Sequence, residues 1–379
     1  MKLFDIVIIG SGFAAYQLIK SVRRLDQDKT IAVITQDEGH EYNKPDLSHV
    51  FSKRQTASDL VVKTASEFAS EFNVTLFAQS KVEDIEVYDR VVKTAVEKIQ
   101  YHKLVLATGA SPFIPPFTGN AETDVITHNS LYEYQQRQTR WNDAQSVLVI
   151  GGGLIGVELA MDLADSGKEV TLVEPANRLM TAQLPEFLEA KLRNAMEAKS
   201  INIYTGLCMD EVSHRSTEKL VKLSNGETLK VDEVTVCAGL RPNVQLATKA
   251  QLSVNRGIIV DEYLATSQPD IYALGDCAEI YGMVRAYLQP IVVSATALAK
   301  TLTSSPTKVL LPNMLTKVKT PAYPIQLSGV LTGEDVTRWS YDVSRSGIVA
   351  KSYNADDKLI GFVATEQRIQ ESFPLLREL

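Results

Sequence analysis

The chain contains two copies of a strand that runs into a glycine-rich turn and then a helix, and this repeated arrangement constrains its fold more than any other feature. In the first copy, the apolar residues 5–9 precede the turn at residues 10–15. In the second copy, residues 147–150 precede the turn at residues 151–156. One such turn is a weak signal, but two in the same context predict two modules that each bind a dinucleotide.

Each turn carries small residues where a pyrophosphate has to approach the backbone. Gly10 permits the tight turn, Gly12 lets the backbone approach a phosphate, and Ala15 allows close packing of strand and helix. The N-terminus of the following helix attracts the phosphates. The residues predicted to contact dinucleotides are Gly10, Ser11, Gly12, Ala14 and Ala15 in the first turn, and Gly151, Gly153, Leu154, Ile155 and Gly156 in the second.

The strand after each turn ends near a residue that could bind the adenosine ribose. In the second module that residue is Glu174, whose carboxylate can accept both ribose hydroxyls and would repel a 2′-phosphate, so NADH is favoured. Arg178 leaves weak use of NADPH open. The first module has Thr35 at this point, with an acid only at Asp37. Either Asp37, or backbone and water, holds that ribose.

Composition limits the class of protein. With 379 residues, 45% of them hydrophobic, the chain is long enough for two or three domains. A net charge of −7 argues against a nucleic-acid surface, and no apolar run reaches the length of a membrane span. Cys208, Cys237 and Cys277 lack the spacing of a disulfide framework or a metal site, so we expect no bound metal and a reducing cytoplasm.

Three further segments strengthen the nucleotide-binding interpretation. They are residues 104–109 (LVLATG), 238–243 (AGLRPN) and 270–276 (DIYALGD). With the two turns, they resemble the two-dinucleotide-binding-domain flavoprotein family, which implies FAD in the first module and NAD in the second. The resemblance implies cofactor contacts at Ala107, Thr108, Gly109, Gly239, Gly275 and Asp276, with Asp276 bonding the ribityl chain of FAD.

Three segments carry a narrower likeness: residues 41–50 (EYNKPDLSHV), residues 8–15 (IIGSGFAA) and residues 281–295. The last of these contains Leu288-Gln289-Pro290. These segments resemble rubredoxin reductases. The resemblance implies that Lys44 and Pro45 face the flavin, with Lys44 as a positive group beside the ring. It also places Gln289 and Pro290 at the pyrimidine edge.

Lys44 and Glu158 are the predicted catalytic residues, and both have plainer alternatives. The resemblance implies that Glu158 lies at the contact between nicotinamide and flavin. An acid at this position could instead stabilise a helix N-terminus. Without the family context, Lys44 would be interpreted as a surface lysine. His49 could be proposed as an acid–base partner, but a hydrogen-bonded or surface histidine is the commoner explanation.

The predicted fold class is α/β, with two Rossmann-like dinucleotide-binding domains and a small C-terminal α+β domain. The NAD domain, residues 111–239, is inserted into a discontinuous FAD domain formed by residues 1–110 and 240–308. The C-terminal domain is residues 309–379. Within the insert, residues 188–199 predict a helix, and Asn225-Gly226 predicts a hairpin turn.

The resemblance implies an NADH-dependent flavoprotein that delivers electrons to a rubredoxin-type iron protein, above all the rubredoxin domain of a flavorubredoxin that reduces nitric oxide. A ferredoxin reductase of an oxygenase system remains the near alternative. Two further alternatives are a slow oxidase and a sensor that binds FAD and NADH with little turnover. Residues 41–54 contain no cysteine, so electrons are expected to leave the flavin without a thiol relay.

The chain's negative charge raises a question about its partner. Rubredoxin-type proteins are generally acidic and would be repelled unless basic residues cluster where they dock. The candidates for such a cluster are Lys44, Lys53, Arg54, Lys317 and Lys319.

Overall fold

The computed structural model describes residues 1–121, 124–215 and 218–379. Contacts between residues divide the chain into two compact units. The first unit contains Met1–Lys44, Ser58–Ser111 and Leu240–Pro312. The second contains Pro45–Ala57, Pro112–Gly239 and Asn313–Leu379.

The helices of the described residues are α1 (Phe13–Leu25), α2 (Ala65–Glu71), α3 (Leu131–Asp143), α4 (Leu154–Asp165), α5 (Glu186–Glu197), α6 (Gln245–Lys249), α7 (Leu288–Thr303) and α8 (Ser372–Glu378). Short 3₁₀ helices span Lys44–His49, Ser58–Leu60 and Glu366–Glu371.

The strands up to the end of the second nucleotide module are β1 (Lys2–Ile9), β2 (Ile31–Ile34), β3 (Glu41–Tyr42), β4 (Val61–Lys63), β5 (Thr75–Phe77), β6 (Val82–Glu86), β7 (Val91–Thr94), β8 (Lys98–Leu106), β9 (Ala110–Pro112), β10 (Ser146–Ile150), β11 (Glu169–Glu174), β12 (Asn202–Thr205), β13 (Met209–Arg215), β14 (Glu218–Leu223), β15 (Thr228–Val231) and β16 (Glu233–Val236). The later strands are β17 (Leu240–Pro242), β18 (Ile258–Val260), β19 (Ile271–Ala273), β20 (Ala278–Ile280), β21 (Met283–Val284), β22 (Thr316–Val318), β23 (Ile325–Gly329), β24 (Arg338–Ser344), β25 (Gly347–Tyr353) and β26 (Leu359–Thr365).

The first unit is built on a sheet with the strand order β5-β2-β1-β8-β7-β6. Strands β5, β2, β1 and β8 are parallel, and β19 pairs in parallel with the C-terminal half of β8. All four residues of β2 are buried, as expected for a parallel strand covered on both faces. Smaller sheets are β18-β20-β21, β3-β4 and β9-β17.

Helix α1 follows the first glycine turn, as predicted. It buries Ala15, Leu18, Ile19 and Val22 against the sheet and packs on α7. Leu25, the last residue of the predicted apolar stripe, is exposed because the helix ends there.

The second unit contains a parallel sheet in the order β12-β11-β10-β16. Helix α4 follows the second glycine turn and packs on β10 and β11. Strands β13, β14 and β15 form an antiparallel meander, and the predicted hairpin turn at Gly226 joins the last two of them. The helix predicted at residues 188–199 is α5, which buries Leu188 and Leu192.

The C-terminal part of the second unit is an antiparallel sheet, β22-β23-β26-β25-β24, followed by α8. Its own small core is formed by Leu315, Val349, Phe362, Ala364 and Leu375. This is the predicted small α+β module. The two nucleotide modules and this C-terminal module together give the predicted α/β fold class.

The contact units and the predicted domains divide the chain differently. The segment Pro45–Ala57 lies in the second unit, although the sequence reading assigned it to the FAD domain. Two buried acids on α4, described below, hold this segment.

Candidate nucleotide-binding sites

The first glycine turn has a backbone geometry that only glycine suits at Gly10. Its N–H donates to the Ile34 carbonyl at 2.8 Å, and its φ is +111°. A Cβ at Gly10 would lie 2.2 Å from the Ala107 carbonyl oxygen, which would require the backbone to move. The residue type is therefore fixed by the close approach of β1 and the segment after β8.

Gly12 plays a different part, because it faces open space. It is the N-cap of α1, with extended backbone, and no side chain of the described residues caps the helix there. A Cβ on Gly12 would meet no described atom within 4 Å. An uncapped helix N-terminus beside free volume suits the phosphates of FAD.

The end of β2 shows what replaces the missing acid. The Ser11 and Thr35 hydroxyls are 2.8 Å apart, and Thr35 Oγ1 accepts a hydrogen bond from the Asp37 N–H at 3.2 Å. Thr35 therefore orients the glycine turn from within. Burial, with a smaller effect of the Glu38 charge, raises the pKa of Asp37. Contact of the ribose with Asp37, or with backbone and water, stays a prediction.

Asp276 lies in the same region of the first unit as Ala14 and Lys44. A Cβ on Gly275, which has a φ of +85°, would lie 2.7 Å from the Ala14 Cβ. Burial raises the pKa of Asp276, and the charge of Lys44 opposes this shift. The geometry thus brings Asp276, Lys44 and the start of α1 together.

The predicted segment Ala107–Gly109 is held by a residue that sequence reasoning did not single out. The Asn243 side-chain amide donates to the Thr108 carbonyl at 2.8 Å, and Thr108 Oγ1 donates to the Asn243 carbonyl at 2.8 Å. The Asn243 N–H donates to the Gly109 carbonyl at 2.9 Å. The only signal for Asn243 was its place at the end of the segment 238–243 (AGLRPN).

Gln289 and Pro290 lie in the first turn of α7. Gln289 is exposed, Pro290 is buried, and the N-cap residue Tyr287 offers no side-chain cap. A cavity of about 20 Å³ has Gly275 and Pro290 in its wall. The start of α7 therefore lies near the Gly275 turn.

The second glycine turn repeats the geometry of the first. The Gly151 N–H donates to the Val173 carbonyl at 2.8 Å, and a Cβ at Gly151 would lie 2.6 Å from the Cys237 carbonyl oxygen. Gly153, like Gly12, is an N-cap without a side-chain cap from the described residues, and a Cβ there would meet no described atom within 4 Å. A Cβ at Gly156 would lie 1.9 Å from the Gly151 carbonyl oxygen, so this position is closed to larger residues.

The start of α4 and the linker back from this module complete the predicted set. Leu154 is partly exposed and Ile155 is 51% exposed, so both offer apolar surface beside Gly153. Gly239 has a φ of +103°, and its carbonyl accepts the Phe113 N–H at 2.9 Å.

Glu174 ends β11, as predicted, and points back to the glycine turn. Its carboxylate accepts the Gly152 N–H at 2.5 Å and the Ala176 N–H at 2.8 Å. Two backbone donors fix the carboxylate beside the turn, where a ribose would lie. Arg178 donates to the Leu184 carbonyl at 3.4 Å.

Glu158, the predicted residue at the nicotinamide, is buried, and both of its carboxylate oxygens have protein partners. One accepts the Ser48 hydroxyl at 2.9 Å and the other the Lys319 N–H at 2.7 Å. Burial raises the pKa of Glu158, and these hydrogen bonds oppose the shift. Glu158 lies beyond the first turn of α4, so the alternative of an acid at the helix N-terminus is disfavoured. Contact with nicotinamide stays a prediction.

Asp162, one turn further along α4, was missed by sequence reasoning. Its carboxylate accepts the Phe51 N–H at 2.9 Å, the Ser52 N–H at 3.3 Å and the Ser52 hydroxyl. Burial raises the pKa of Asp162. The available signal was two acids four residues apart in the otherwise apolar residues 154–164.

His49 and Cys237 are poorly suited to acid–base and thiol chemistry, respectively. Burial, followed by the charges of Lys319 and Lys53, lowers the pKa of His49 to about 4, so it is neutral at physiological pH. The three cysteines are free thiols, and burial raises the pKa of Cys237 to about 12. Among the described residues no group of three or more metal-ligating side chains comes together, and no helix is long and apolar enough to cross a membrane.

The family of pyridine nucleotide-disulphide oxidoreductases matches residues 4–297. The chain belongs to this family. Residues 308–379 match the rubredoxin binding C-terminal domain. Together the two matches cover nearly all of the chain.

Curated relatives of this family member are similar along their whole length. Proteins named nitric oxide reductase FlRd-NAD(+) reductase are 51% identical over 374 residues in Aliivibrio fischeri and 50% in Vibrio vulnificus, covering 99% of this chain and 98% and 97% of theirs. The protein of the same name in Escherichia coli is 45% identical.

Solved structures of this fold are also similar. A ferredoxin reductase from Rhodopseudomonas palustris has a TM-score of 0.89 at 28% identity, covering 97% of this chain and 93% of its own. A water-forming NADH oxidase from Lactobacillus brevis, bound to NADH, has a TM-score of 0.89 at 18% identity, covering 99% and 91%. At that identity the likeness concerns the fold alone.

These matches confirm the predicted family, the α/β fold class, and an oxidoreductase that uses FAD and NADH. The C-terminal match confirms the predicted rubredoxin-type partner. The individual site residues remain predictions.

Proposed function

We propose that this family member oxidises NADH through bound FAD and reduces the rubredoxin domain of a flavorubredoxin that reduces nitric oxide, in the cytoplasm. The observation that carries the proposal is the rubredoxin-binding match at residues 308–379. The same chain has two glycine turns whose following helices, α1 and α4, have no side-chain cap from the described residues. The names of the curated relatives support the nitric oxide pathway.

The first unit would hold FAD. When bound, FAD accepts the electron pair of NADH and releases electrons singly to an iron centre. The turn around Gly12 would bind its pyrophosphate, and Asp276 would accept hydrogen bonds from the ribityl hydroxyls. Lys44 favours the ionised form of Asp276 and would stabilise negative charge on the ring. The remaining proposed contacts within the first unit are Gly10, Ser11, Ala14, Ala15, Asp37, Ala107, Thr108, Gly109, Gly275, Gln289 and Pro290. A flavin contact of Pro45 rests on the family resemblance alone.

The second glycine turn would hold NADH. Gly153 offers the helix N-terminus to the pyrophosphate, and Glu174 offers its carboxylate to the adenosine ribose. Leu154, Ile155 and Gly239 would line the dinucleotide, and Gly151 and Gly156 would keep the turn compact. We propose the domain boundaries 1–110 with 240–308 for FAD, 111–239 for NAD and 309–379 for the C-terminal domain.

A ferredoxin reductase is the second candidate, because the Rhodopseudomonas protein is similar over nearly the whole chain. The test is anaerobic mixing of the FAD-loaded protein with NADH, followed by a rubredoxin domain or a [2Fe–2S] ferredoxin. We expect the oxidised-flavin absorbance to fall with NADH and to recover promptly with rubredoxin. Faster recovery with ferredoxin would favour the second candidate, and a long-lived reduced state with either carrier would favour a sensor.

A further inference from the structure

A short turn at residues 51–54 presents two adjacent cations at the surface of the second unit. The Arg54 N–H donates to the Phe51 carbonyl at 3.1 Å, which closes the turn. Lys53 and Arg54 are both exposed. Arg54 has a φ of +53°, a conformation that costs a residue with a large side chain some free energy. Hydrogen bonds from elsewhere in the unit must therefore hold this turn.

Two helices supply those bonds. From α4, the buried Asp162 accepts both backbone and hydroxyl donors of Ser52. From α3, Tyr134 donates to the Gln55 carbonyl at 2.7 Å, and Gln138 accepts the Ala57 N–H at 3.0 Å. Helix α4 therefore holds the turn at Ser52, and helix α3 holds the residues that follow it.

The same helix α4 also holds Lys319, from the rubredoxin-binding segment. The Lys319 N–H donates to Glu158, and its ammonium donates to the Pro45 carbonyl at 2.7 Å. Glu158 and Asp162 are four residues apart and so lie on one face of α4. Lys319 and the turn are thereby anchored side by side. Burial, and then the charge of Lys53, lowers the pKa of Lys319, while Glu158 and Asp46 oppose this shift.

Charge is distributed unevenly across this region. Glu158 and Asp162 are each 3% exposed, whereas Lys53, Arg54 and Lys317 are exposed. The third acid of α4, Asp165, is exposed and forms an ion pair with Lys199. The two exposed charges of the turn are therefore both cationic, on a chain whose net charge is −7. A local cationic surface of this kind attracts an anionic partner and fixes its orientation.

We propose that the turn at residues 51–54 is a contact surface for the acidic surface of the rubredoxin-type partner, outside the rubredoxin-binding segment. We further propose that Asp162 is the positioning residue for this turn. The proposal rests on the proposed function. On this proposal the partner contacts both the turn at residues 51–54 and the rubredoxin-binding segment. Helix α4 holds the turn through Asp162 and the segment through Glu158.

The first test neutralises the turn in the full-length, FAD-loaded protein. The variant is Lys53→Gln with Arg54→Asn, because asparagine adopts left-handed backbone readily. We expect kcat/KM for rubredoxin to fall about fivefold at low ionic strength, and the deficit to vanish at high salt, where charges are screened. The rate with a neutral quinone should not change. A matched control, Lys191→Gln with Lys222→Gln, removes two exposed charges elsewhere in the same unit and outside residues 308–379, and should leave the rubredoxin rate within about twofold.

The second test leaves the surface charge unchanged and loosens the turn. Asp162→Asn replaces one of the acceptor oxygens with a donor, and the milder Ser52→Ala removes only the hydroxyl bond. We expect both variants to show the same salt-dependent loss with rubredoxin, smaller for Ser52→Ala, and an unchanged rate with the neutral quinone. Should Asp162→Asn fail to fold, Ser52→Ala still tests the positioning role.

The outcomes separate the two proposals. If the wild-type protein does not reduce rubredoxin at any salt concentration, the proposed function fails. If the wild type does and the turn variant matches it at low ionic strength, the docking surface is wrong. If the variant Lys53→Gln with Arg54→Asn loses rate but Asp162→Asn and Ser52→Ala keep the wild-type rate, the proposed contact surface stands. The proposed positioning role of Asp162 is then wrong.

Discussion

Thr35 and Glu174 occupy the same position in two copies of one structural unit, yet they do different work. In both copies, the carbonyl of the preceding residue accepts the N–H of the first glycine of the turn: Ile34 accepts from Gly10, and Val173 accepts from Gly151. Thr35 then contacts Ser11 through its hydroxyl, whereas the Glu174 carboxylate accepts the backbone N–H of Gly152. Only the second module places a fixed negative charge at the end of its second strand, so only there can charge select the nucleotide.

Glu174→Gln tests this selection. The amide keeps one acceptor for the backbone donors and loses the charge that, on the proposed function, would bind the ribose hydroxyls and repel a 2′-phosphate. We expect KM for NADH to rise about tenfold, with kcat little changed, and the ratio of NADPH to NADH use to rise. Steady-state kinetics with both nucleotides measure this. Glu169→Gln is the matched control, at the exposed start of the same strand; an equal change in that variant would argue against a specific role for Glu174.

At the scale of elements, α1 and α4 present equivalent uncapped N-termini, and a Cβ on either N-cap glycine would point into free volume. Gly12→Ala and Gly153→Ala should therefore leave the cofactor-free fold intact and each obstruct one dinucleotide. We expect Gly12→Ala to lower FAD affinity at least about tenfold, and Gly153→Ala to keep FAD and weaken NADH binding similarly.

The flavin absorbance per polypeptide and a titration with NADH measure the two effects, and each variant serves as the control for the other. Loss of FAD in Gly153→Ala, or full retention in Gly12→Ala, would reverse the assignment of cofactors to turns. A fall in the melting temperature of either cofactor-free variant would mean that the open space is not available to a side chain.

At the scale of the whole molecule, the sequence predicted what depends on neighbouring residues and missed what depends on distant ones. The strands before the two glycine turns, the turns themselves and the starts of α1 and α4 follow from local spacing, and the structure has them in the predicted positions. The bonds from Ser48 to Glu158 and from Ser52 to Asp162 join residues 110 apart in sequence. The spacing of apolar residues along α4 predicts which face is buried, but it does not predict which distant segment packs on that face. The assignment of Pro45–Ala57 to a unit therefore required the structure.

The stability of the molecule in acid should depend on His128, whose Nε2 lies 2.7 Å from the Leu47 carbonyl oxygen and whose ring packs beside Phe51, Tyr134 and Trp141. Burial lowers the pKa of His128 to about 4. Below its ordinary pKa of about 6.5 the unfolded chain takes up a proton that the folded chain does not, so stability falls as the pH drops from there to about 4.

Glu158 and Asp162 act in the opposite direction, because burial raises their pKa values and the folded state then binds protons first. A variant that removes only the histidine isolates its share. His128→Gln can still donate to the Leu47 carbonyl but does not titrate. Between about pH 7 and about pH 4.5 we expect the wild type to lose about 2 kcal/mol more unfolding free energy than His128→Gln, measured by urea unfolding with saturating FAD. The exposed His102→Gln is the control and should follow the wild type; parallel curves for the wild type and His128→Gln would mean that His128 is protonated in the folded protein as readily as in the unfolded chain.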